Sequence, residues 1–584
     1  MSLQQYYLGI ADSHDAGIAL ISDGQIIAAI NEERLSRRKM ATGFPSLCID
    51  YALNRLGIVP EQIIGIGLAG KASASSAIPL TNDFANDDGT YLASQRAAEL
   101  IDRIPGGRTL MSSSPSISAY RASMGLFPNR RLAYVRQQLD QVRIAAPLRT
   151  FDHHDAHLAA AYYSSPYADA LIISNDGFGD GLCSKVAVGN PEKNSFDVIA
   201  ENSFFNSLGV YYNYATLLCG FTKAHHAGKT TGLAAFGDSS KTINVFRSMI
   251  FWDNASGRYV NKGGVFRNCI AELRRQLSGI SREDIAAGIQ IHCEELLSAM
   301  VCHYISVTKR RNLVLVGGVH ANVKANQKIA EDANLDNLVV FPNMGDGGLP
   351  LGAAYLSAHS DGQRLSHRRL DHAYFGPSYS DDEILSAISE YQLTHVRVRN
   401  LPVELAKLLA NEKVIARFDG AMEYGPRALG NRSILYSATK PDVNKWLNQQ
   451  LNRTEFMPFA PVMRAEDAPL FLENFSQVTA HTAEFMTITY AVTERCKREA
   501  PATVHVDGTA RPQLVRREVN PGYYDILTEY NRLTGLSILV NTSFNMHEEP
   551  IVCSPRDAIR AFLDSHIDTL AIGPFIVTNP RGNT

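Results

Sequence analysis

The feature that most constrains this chain is a pattern that occurs twice. Residues 6–31 read as an apolar strand, YYLGIA, a polar corner, DSHDA, a second strand, GIALIS, a DG turn and a third strand, QIIAAI. Residues 168–190 repeat the plan as ADALIIS, NDGFGDG and LCSKVAVG. An apolar strand that ends in Asp and Gly before a return strand, met in two places, predicts an internally duplicated α/β domain. Segments 45–57 and 282–310 carry apolar residues at spacings of three and four and predict helices. NLVLVGGVHANVKANQKIAED and NLVVFPNMGDGGLPLGAAYLSA each predict strand, glycine turn and helix, which closes a first domain at 1–360. The stretch 361–372 is polar and poor in large apolar residues, so it reads as a linker. Residues 373–584 then form a second α/β domain, with strands in KVIARFDG and LSILVNTSFN and helices in DVNKWLNQQLNR and PRDAIRAFLDS.

Composition narrows the partners. The 56 Lys and Arg against 59 Asp and Glu give a net charge of −3, which disfavours nucleic acid binding by bulk charge. Apolar runs such as ALIIS and LVLVGGV are far shorter than the ~18 residues of a bilayer span. No basic segment followed by an apolar one opens the chain, so the expectation is a soluble, cytoplasmic protein with no membrane partner. The eight cysteines are scattered singly without a CxxC, against a zinc ribbon, a redox pair or a disulfide scaffold.

Several constellations could carry chemistry. In FDHHDAHLAAAYY, His153 and His157 lie four apart on an Ala-rich helical stretch and share a face, as two imidazoles on one metal require. Asp176 and Asp346 each end an apolar strand in a glycine turn, where ligands converge in α/β folds. Two His and two Asp suit a divalent metal with open positions, and would accept Fe, Mn, Zn or Co. GGVHAN (317–322) and GDGG (345–348) precede helices and suggest a nucleotide cradle. GIGLAG (65–70) matches GxGxxG without the strand–turn–helix context and reads as a buried strand; KAHHAGKT (223–230) has Lys223 where the first glycine of a P-loop belongs. In the second domain Arg427, Arg432, Arg453 and Arg511 sit among small, turn-forming residues, where their forks suit a multiply charged oxyanion or structural ion pairs with local acids. Ser543 and Asn545 in NTSFN add neutral donors, and the corner DSHD offers Asp12, His14 and Asp15 for moving a hydroxyl proton.

Taken together, DSHDAGIALISDGQIIAAINEERLSRRK, HHDAH, DGFGDG, GKTTGLAAFG, GGVHANVKAN, GDGGLPLGAA, EYGPRALGNRSIL, RTEFMPFAPV, HVDGTARPQ and LVNTSFNMHEEPIV resemble, in order, the blocks of the NodU/CmcH-type O-carbamoyltransferases, which include antibiotic-tailoring enzymes. The resemblance implies a duplicated actin-like (ASKHA) ATPase domain followed by a C-terminal YrdC-like α/β domain. It implies that the C-terminal domain makes carbamoyl-adenylate from carbamoyl phosphate and ATP (with Mg2+), and that the N-terminal domain passes the carbamoyl group to a hydroxyl of a sugar or antibiotic-type natural product. Carried over residue by residue, the metal ligands, usually iron, fall on His153, His157, Asp176 and Asp346, and the catalytic Asp and His on Asp12 and His14. Carbamoyl phosphate and ATP contacts fall on Arg427, Arg432, Arg453, Arg511, Ser543 and Asn545. Adenylate contacts of the first domain fall on Gly317, Gly318, Asn322, Gly347 and Lys229. Acceptor specificity is expected in loops such as 71–150, and a homodimer is the base-rate expectation. Alternative readings are a tRNA-modifying carbamoyl-type ATPase, against which the balanced charge speaks, and a non-catalytic actin-like assembly protein, which leaves the four arginines unused.

Overall fold

The computed structural model describes residues 4–71, 93–111, 118, 128–222, 226–442, 449 and 458–580. The chain divides into two compact units: unit 1 is Met1–Ile27 with Thr42–Arg369, and unit 2 is Ala28–Ala41 with Leu370–Thr584.

In unit 1 the repeated pattern becomes two sheets. The first contains β1 (Tyr6–Ala11), β2 (Gly17–Ser22), β3 (Gln25–Asn31), β4 (Ile63–Ala69) and β5 (Leu148–Phe151), in the order β3-β2-β1-β4-β5. The second contains β6 (Leu171–Gly179), β7 (Leu182–Asn190), β8 (Ser195–Ser203), β9 (Asn312–Val316) and β10 (Asn337–Val340), in the order β10-β9-β6-β7-β8. Read from the other edge, the second order is the first. In each sheet the leading strand runs antiparallel to its hairpin partner and parallel to the next strand, which is parallel to the one beyond it. Duplication is therefore explicit in the topology. GIGLAG is almost entirely the buried end of β4.

Six helices bear on the sites: α1 (Glu32–Ser36), α2 (Pro128–Gln141), α3 (His153–Tyr163), α4 (Arg282–Thr308), α5 (Val323–Asp332) and α6 (Leu349–Ser360). By length and composition α4 is long and apolar enough to cross a bilayer, but most of it is buried within the fold, as a core helix is. Helix α6 seats the loop that carries Asp346, and it does so by backbone approach. A Cβ on Gly352 would stand 1.7 Å from the carbonyl oxygen of Ala156 on α3, and one on Gly9 of β1 would stand 1.7 Å from that of Pro350. Only glycine permits these contacts, and a cluster of Ala11, Ala69, Ala156, Leu349 and Ala353 fills the space around them.

Unit 2 is built on one mixed sheet of eight strands: β11 (His395–Arg397), β12 (Ile415–Phe418), β13 (Arg432–Ser437), β14 (Ala460–Arg464), β15 (Gln513–Val515), β16 (Ile538–Ser543), β17 (Thr569–Ile572) and β18 (Phe575–Thr578). Their order is β11-β18-β17-β12-β13-β16-β14-β15. PRDAIRAFLDS forms the helix Pro555–Ser565, capped by Ser554 and Asp557. The expected helix DVNKWLNQQLNR falls almost wholly outside the described residues.

Candidate metal and anion sites

The metal-type cluster is assembled by strand ends. After β5, Asp152 caps α3 by accepting from the N–H groups of His154 and Asp155, and the helix then presents His153 and His157 on one face. Asp176 lies within β6, and Asp346 opens the 3-10 turn before α6. Donor atoms of His153, His157, Asp176 and Asp346 all lie within 4.8 Å of one another. His153 Nε2 is 3.1 Å from Asp176 Oδ2 and 3.5 Å from Asp346 Oδ1. His157 Nε2 is 3.4 Å from Asp346 Oδ1 and 3.8 Å from Asp176 Oδ2. His157 is fully buried, yet neither ring nitrogen has a hydrogen-bond partner among the described residues. Buried polar atoms are normally satisfied, so an imidazole left open between two carboxylates fits a divalent cation.

His14 completes the cluster, with Nε2 3.2 Å from Asp346 Oδ2. Asp346 pushes the His14 imidazolium up to about 10. Burial works against charge on His153, but Asp346 and Asp176 outweigh it and raise that ring to about 9. Burial likewise opposes charge on Asp176, and the neighbouring imidazoles hold its carboxylate well below the ordinary range. His154, between the two ligand-type histidines, is pushed down to about 3 by burial and by their charge, and its Nδ1 lies 2.9 Å from Ser174 Oγ. It is a neutral packing histidine.

The surroundings hold this geometry. Asp180 Oδ2 accepts from the backbone N–H of His153 at 2.8 Å, and Gly318 N–H donates to Asp176 Oδ1 at 3.0 Å. Gly317, at φ 97°, sets the turn that aims that N–H. Gly347 is buried in the turn behind Asp346, and Lys229 lies half-buried on the short helix Ala227–Leu233.

Two residues of unit 1 expected to meet substrate or nucleotide are engaged by protein partners. The buried carboxylate of Asp12, expected to move a proton, is gripped by Arg131 of α2, whose Nε lies 3.0 Å from Oδ2. Arg131 also donates to the carbonyls of Ala69 and Gly70, so it ties Asp12 to the end of β4. Asn322, expected to contact the adenylate, bonds to protein groups. Its Oδ1 caps α5 by accepting from Ala325 N–H, and its amide exchanges hydrogen bonds with Gln290 at 2.9 and 3.0 Å.

In unit 2 the loop arginines differ from one another. Arg432 is fully buried: Nη1 donates to the carbonyls of Asp419 and Asn431, Nη2 to those of Pro377 and Gly420, and the guanidinium lies 3.7 Å from the centroid of the Phe418 ring. Its Nη donors hold the loop together, while its buried Nε has no hydrogen-bond partner among the described residues. Asn545 likewise donates to the carbonyls of Met546 and Glu549 in its own turn. Arg427, Arg511 and Ser543 are half-buried, and Arg453 lies outside the described residues. One side chain relates the three segments that carry them. Asn541 Nδ2 donates to Ala428 O and to Gln513 Oε1, and Gln513 Nε2 donates to Leu429 O at 2.7 Å. Asn541 Oδ1 is buried without a partner among the described residues, an open acceptor within this junction.

The family model described as carbamoyltransferase N-terminus matches residues 6–355, and the one described as carbamoyltransferase C-terminus matches residues 406–579. This chain belongs to the carbamoyltransferase family. An uncharacterised protein of Methanocaldococcus jannaschii is 30% identical over 98% of the chain and 100% of its own length. Nodulation protein NolNO of Sinorhizobium fredii is 30% identical over 97% of the chain and 79% of its own. Nodulation protein U of Rhizobium tropici is 26% identical over 92% and 90%. Full-length HypF in its phosphate- and nucleotide-bound form aligns over 62% of the chain and 47% of its own at 13% identity and a TM-score of 0.33, too loose a likeness to carry a reading.

Sequence reasoning about this carbamoyltransferase missed the residues that hold others in place. Arg131 lies in the 71–150 stretch assigned to acceptor specificity, with no motif to mark it. Glu423 Oε1 accepts from the N–H groups of Leu429, Asn431 and Arg432 at 2.8, 2.8 and 3.1 Å, so the arginine loop is wrapped around one carboxylate. Glu423 and Asn541 stand inside quoted motifs, but their neighbours drew the attention because charge and turn residues are easier to read than buried acceptors.

Proposed function

We propose that this carbamoyltransferase is ATP-dependent. In unit 2, a YrdC-like domain in this reading, water cleaves carbamoyl phosphate to carbamate and phosphate, and a carbamate oxygen attacks the α-phosphorus of ATP, giving carbamoyl-adenylate with release of pyrophosphate. Unit 1, an actin-like domain by its duplicated sheets, passes the carbamoyl group to a hydroxyl of a sugar or antibiotic-type natural product, releasing AMP. The reaction is placed in the cytoplasm. The observation that carries the reading is the convergence of His153, His157, Asp176 and Asp346, with His14 at 3.2 Å from Asp346, at the strand ends of unit 1 of a chain in this family.

His153, His157, Asp176 and Asp346 would hold a divalent cation, iron in our reading, which supplies charge neutralisation for the adenylate phosphate. The protein's own residues do the rest. Gly318 N–H and the Asp180 contact fix Asp176 and His153 so that little reorganisation is needed on binding. His14 is the proton-moving group. Its Nε2 lies 3.2 Å from Asp346 Oδ2, whose charge favours the imidazolium, and in its neutral form the ring would accept the proton of the acceptor hydroxyl. Asp12, locked by Arg131, fixes the corner that carries His14. In unit 2, Arg427, Arg511 and Ser543 bind the phosphates, with Arg453 as a further donor.

The test is release of phosphate and pyrophosphate by purified protein with ATP, Mg2+ and carbamoyl phosphate, each omitted in turn, without acceptor. Pyrophosphate release that requires carbamoyl phosphate supports the reading. Silence with and without a panel of hydroxylated acceptors overturns it.

A further inference from the structure

The chain enters unit 2 before it finishes building unit 1: residues Ala28–Ala41 pack with Leu370–Thr584. Within unit 2 this excursion grips two loops at once. Arg34, buried on α1, donates from Nη2 to Gly425 O at 2.8 Å, two residues before Arg427. Arg37 donates from Nη1 to Ile551 O at 2.7 Å and from Nη2 to Pro550 O at 2.6 Å. Those carbonyls lie on the return leg of the turn that begins at Ser543 and Asn545, closed by Val552 N–H to Phe544 O at 3.0 Å. Leu35 packs between the loops, against Met422, Ala428, Ile551 and Cys553. The excursion is itself pinned, by Ala29 N–H to Phe375 O at 3.1 Å and by Met40 N–H to Glu33 Oε2 at 2.8 Å.

A planar fork that reaches two successive carbonyls fixes both position and orientation of the strand that bears them, which a lysine cannot do. We infer that Arg34 and Arg37 are positioning residues for the anion site of unit 2: they hold the Arg427 loop and the Ser543–Asn545 turn at the separation that carbamoyl phosphate requires. This rests on the reading of unit 2 as the carbamoyl phosphate unit. Neither arginine touches the ligand in this account; each acts through the backbone of a loop that does, and small displacements of such groups cost affinity and rate steeply.

The experiment uses the full chain and its Arg37→Ala and Arg37→Lys variants. Carbamoyl phosphate binding is followed by calorimetry, and carbamoyl-phosphate-dependent pyrophosphate release is followed without acceptor. The expected result for Arg37→Ala is a roughly tenfold or greater rise in Kd and KM for carbamoyl phosphate, with millimolar guanidinium restoring part of the loss at an unchanged unfolding midpoint. Arg37→Lys, which keeps the charge and one donor direction, should fall between and should not respond to guanidinium; it also serves if Arg37→Ala does not fold. Folded variants with unaltered Kd and KM overturn the inference, as does a loss that guanidinium does not relieve. Binding without pyrophosphate release in the unsubstituted chain would overturn the adenylation reading, while the Kd values still judge the positioning role. No binding of carbamoyl phosphate by the unsubstituted chain would overturn both.

Discussion

The metal-type cluster of unit 1 and the arginine loops of unit 2 are both sets of polar residues drawn from distant points of the chain, but they relate to secondary structure in opposite ways. In unit 1 each functional side chain sits within, or a few residues beyond, a strand or on the first turns of a helix, so the regular element decides where it points. In unit 2 Arg427 and Arg511 sit on loops and Arg432 opens β13, and nothing in their spacing says whether a fork faces outward to an anion or inward to carbonyls. Arg432 faces inward and Asn545 is held within its own turn. A histidine pair four apart has one shared face, whereas a guanidinium with five donors is equally well satisfied by phosphate or by backbone.

The largest expected effect tests the independence of the two regions. His157→Ala should abolish retention of the divalent metal, read by elemental analysis, and lower carbamoyl transfer by orders of magnitude while pyrophosphate release continues. Loss of both activities together would break the division. Next, Arg432→Ala and Arg427→Ala should part company. Arg432→Ala removes a buried fork from four carbonyls and should lower stability by ~3–5 kcal/mol, the scale seen when a buried charge network loses one partner. Arg427→Ala should change stability by no more than ~0.5 kcal/mol, as for ordinary partly exposed positions, and stop pyrophosphate release. Denaturation midpoints beside release assays separate the two outcomes, and equal midpoints would remove the inward–outward distinction.

A smaller effect is expected from Glu423→Gln, which keeps an acceptor oxygen but not its charge for three N–H groups. It should cost ~1–2 kcal/mol, with pyrophosphate release falling in parallel. A last effect is on pH dependence. His153 is raised to about 9 from its ordinary 6.5, so in metal-stripped protein its contribution to stability is complete below pH ~6.5 and is lost as pH rises through ~9. Urea midpoints of stripped protein should therefore decline between pH 6.5 and 9.5, the decline should flatten in His153→Gln, and added metal should oppose it because metal competes with that proton. A profile unchanged by His153→Gln would show that the cluster is not electrostatically coupled as described.

The positions of His153, His157, Asp176 and Asp346 were legible because periodicity and strand-end glycine turns are local signals, and the duplicated sheet was legible because the same local signal recurs. The partners of those residues were not. Arg131 reaches Asp12 across 119 residues of sequence, and Arg37 reaches Ile551 across 514. The excursion of residues 28–41 into unit 2 left no mark in the sequence, whose third strand is followed by no linker signal before the helix at 45–57.

What the sequence by itself determined is the repeated α/β plan and the residue types that meet in the metal-type cluster, because each follows from near-neighbour periodicity and chain order, together with the family, which rests on the resemblance of its ordered motif blocks. What only the tertiary structure decided is direction and partnership: which arginine serves the backbone, which carboxylate is locked, and which unit owns a segment. Hydrogen bonds and ion pairs reward the nearest satisfied partner in space, and nearness in space is a property of the whole fold.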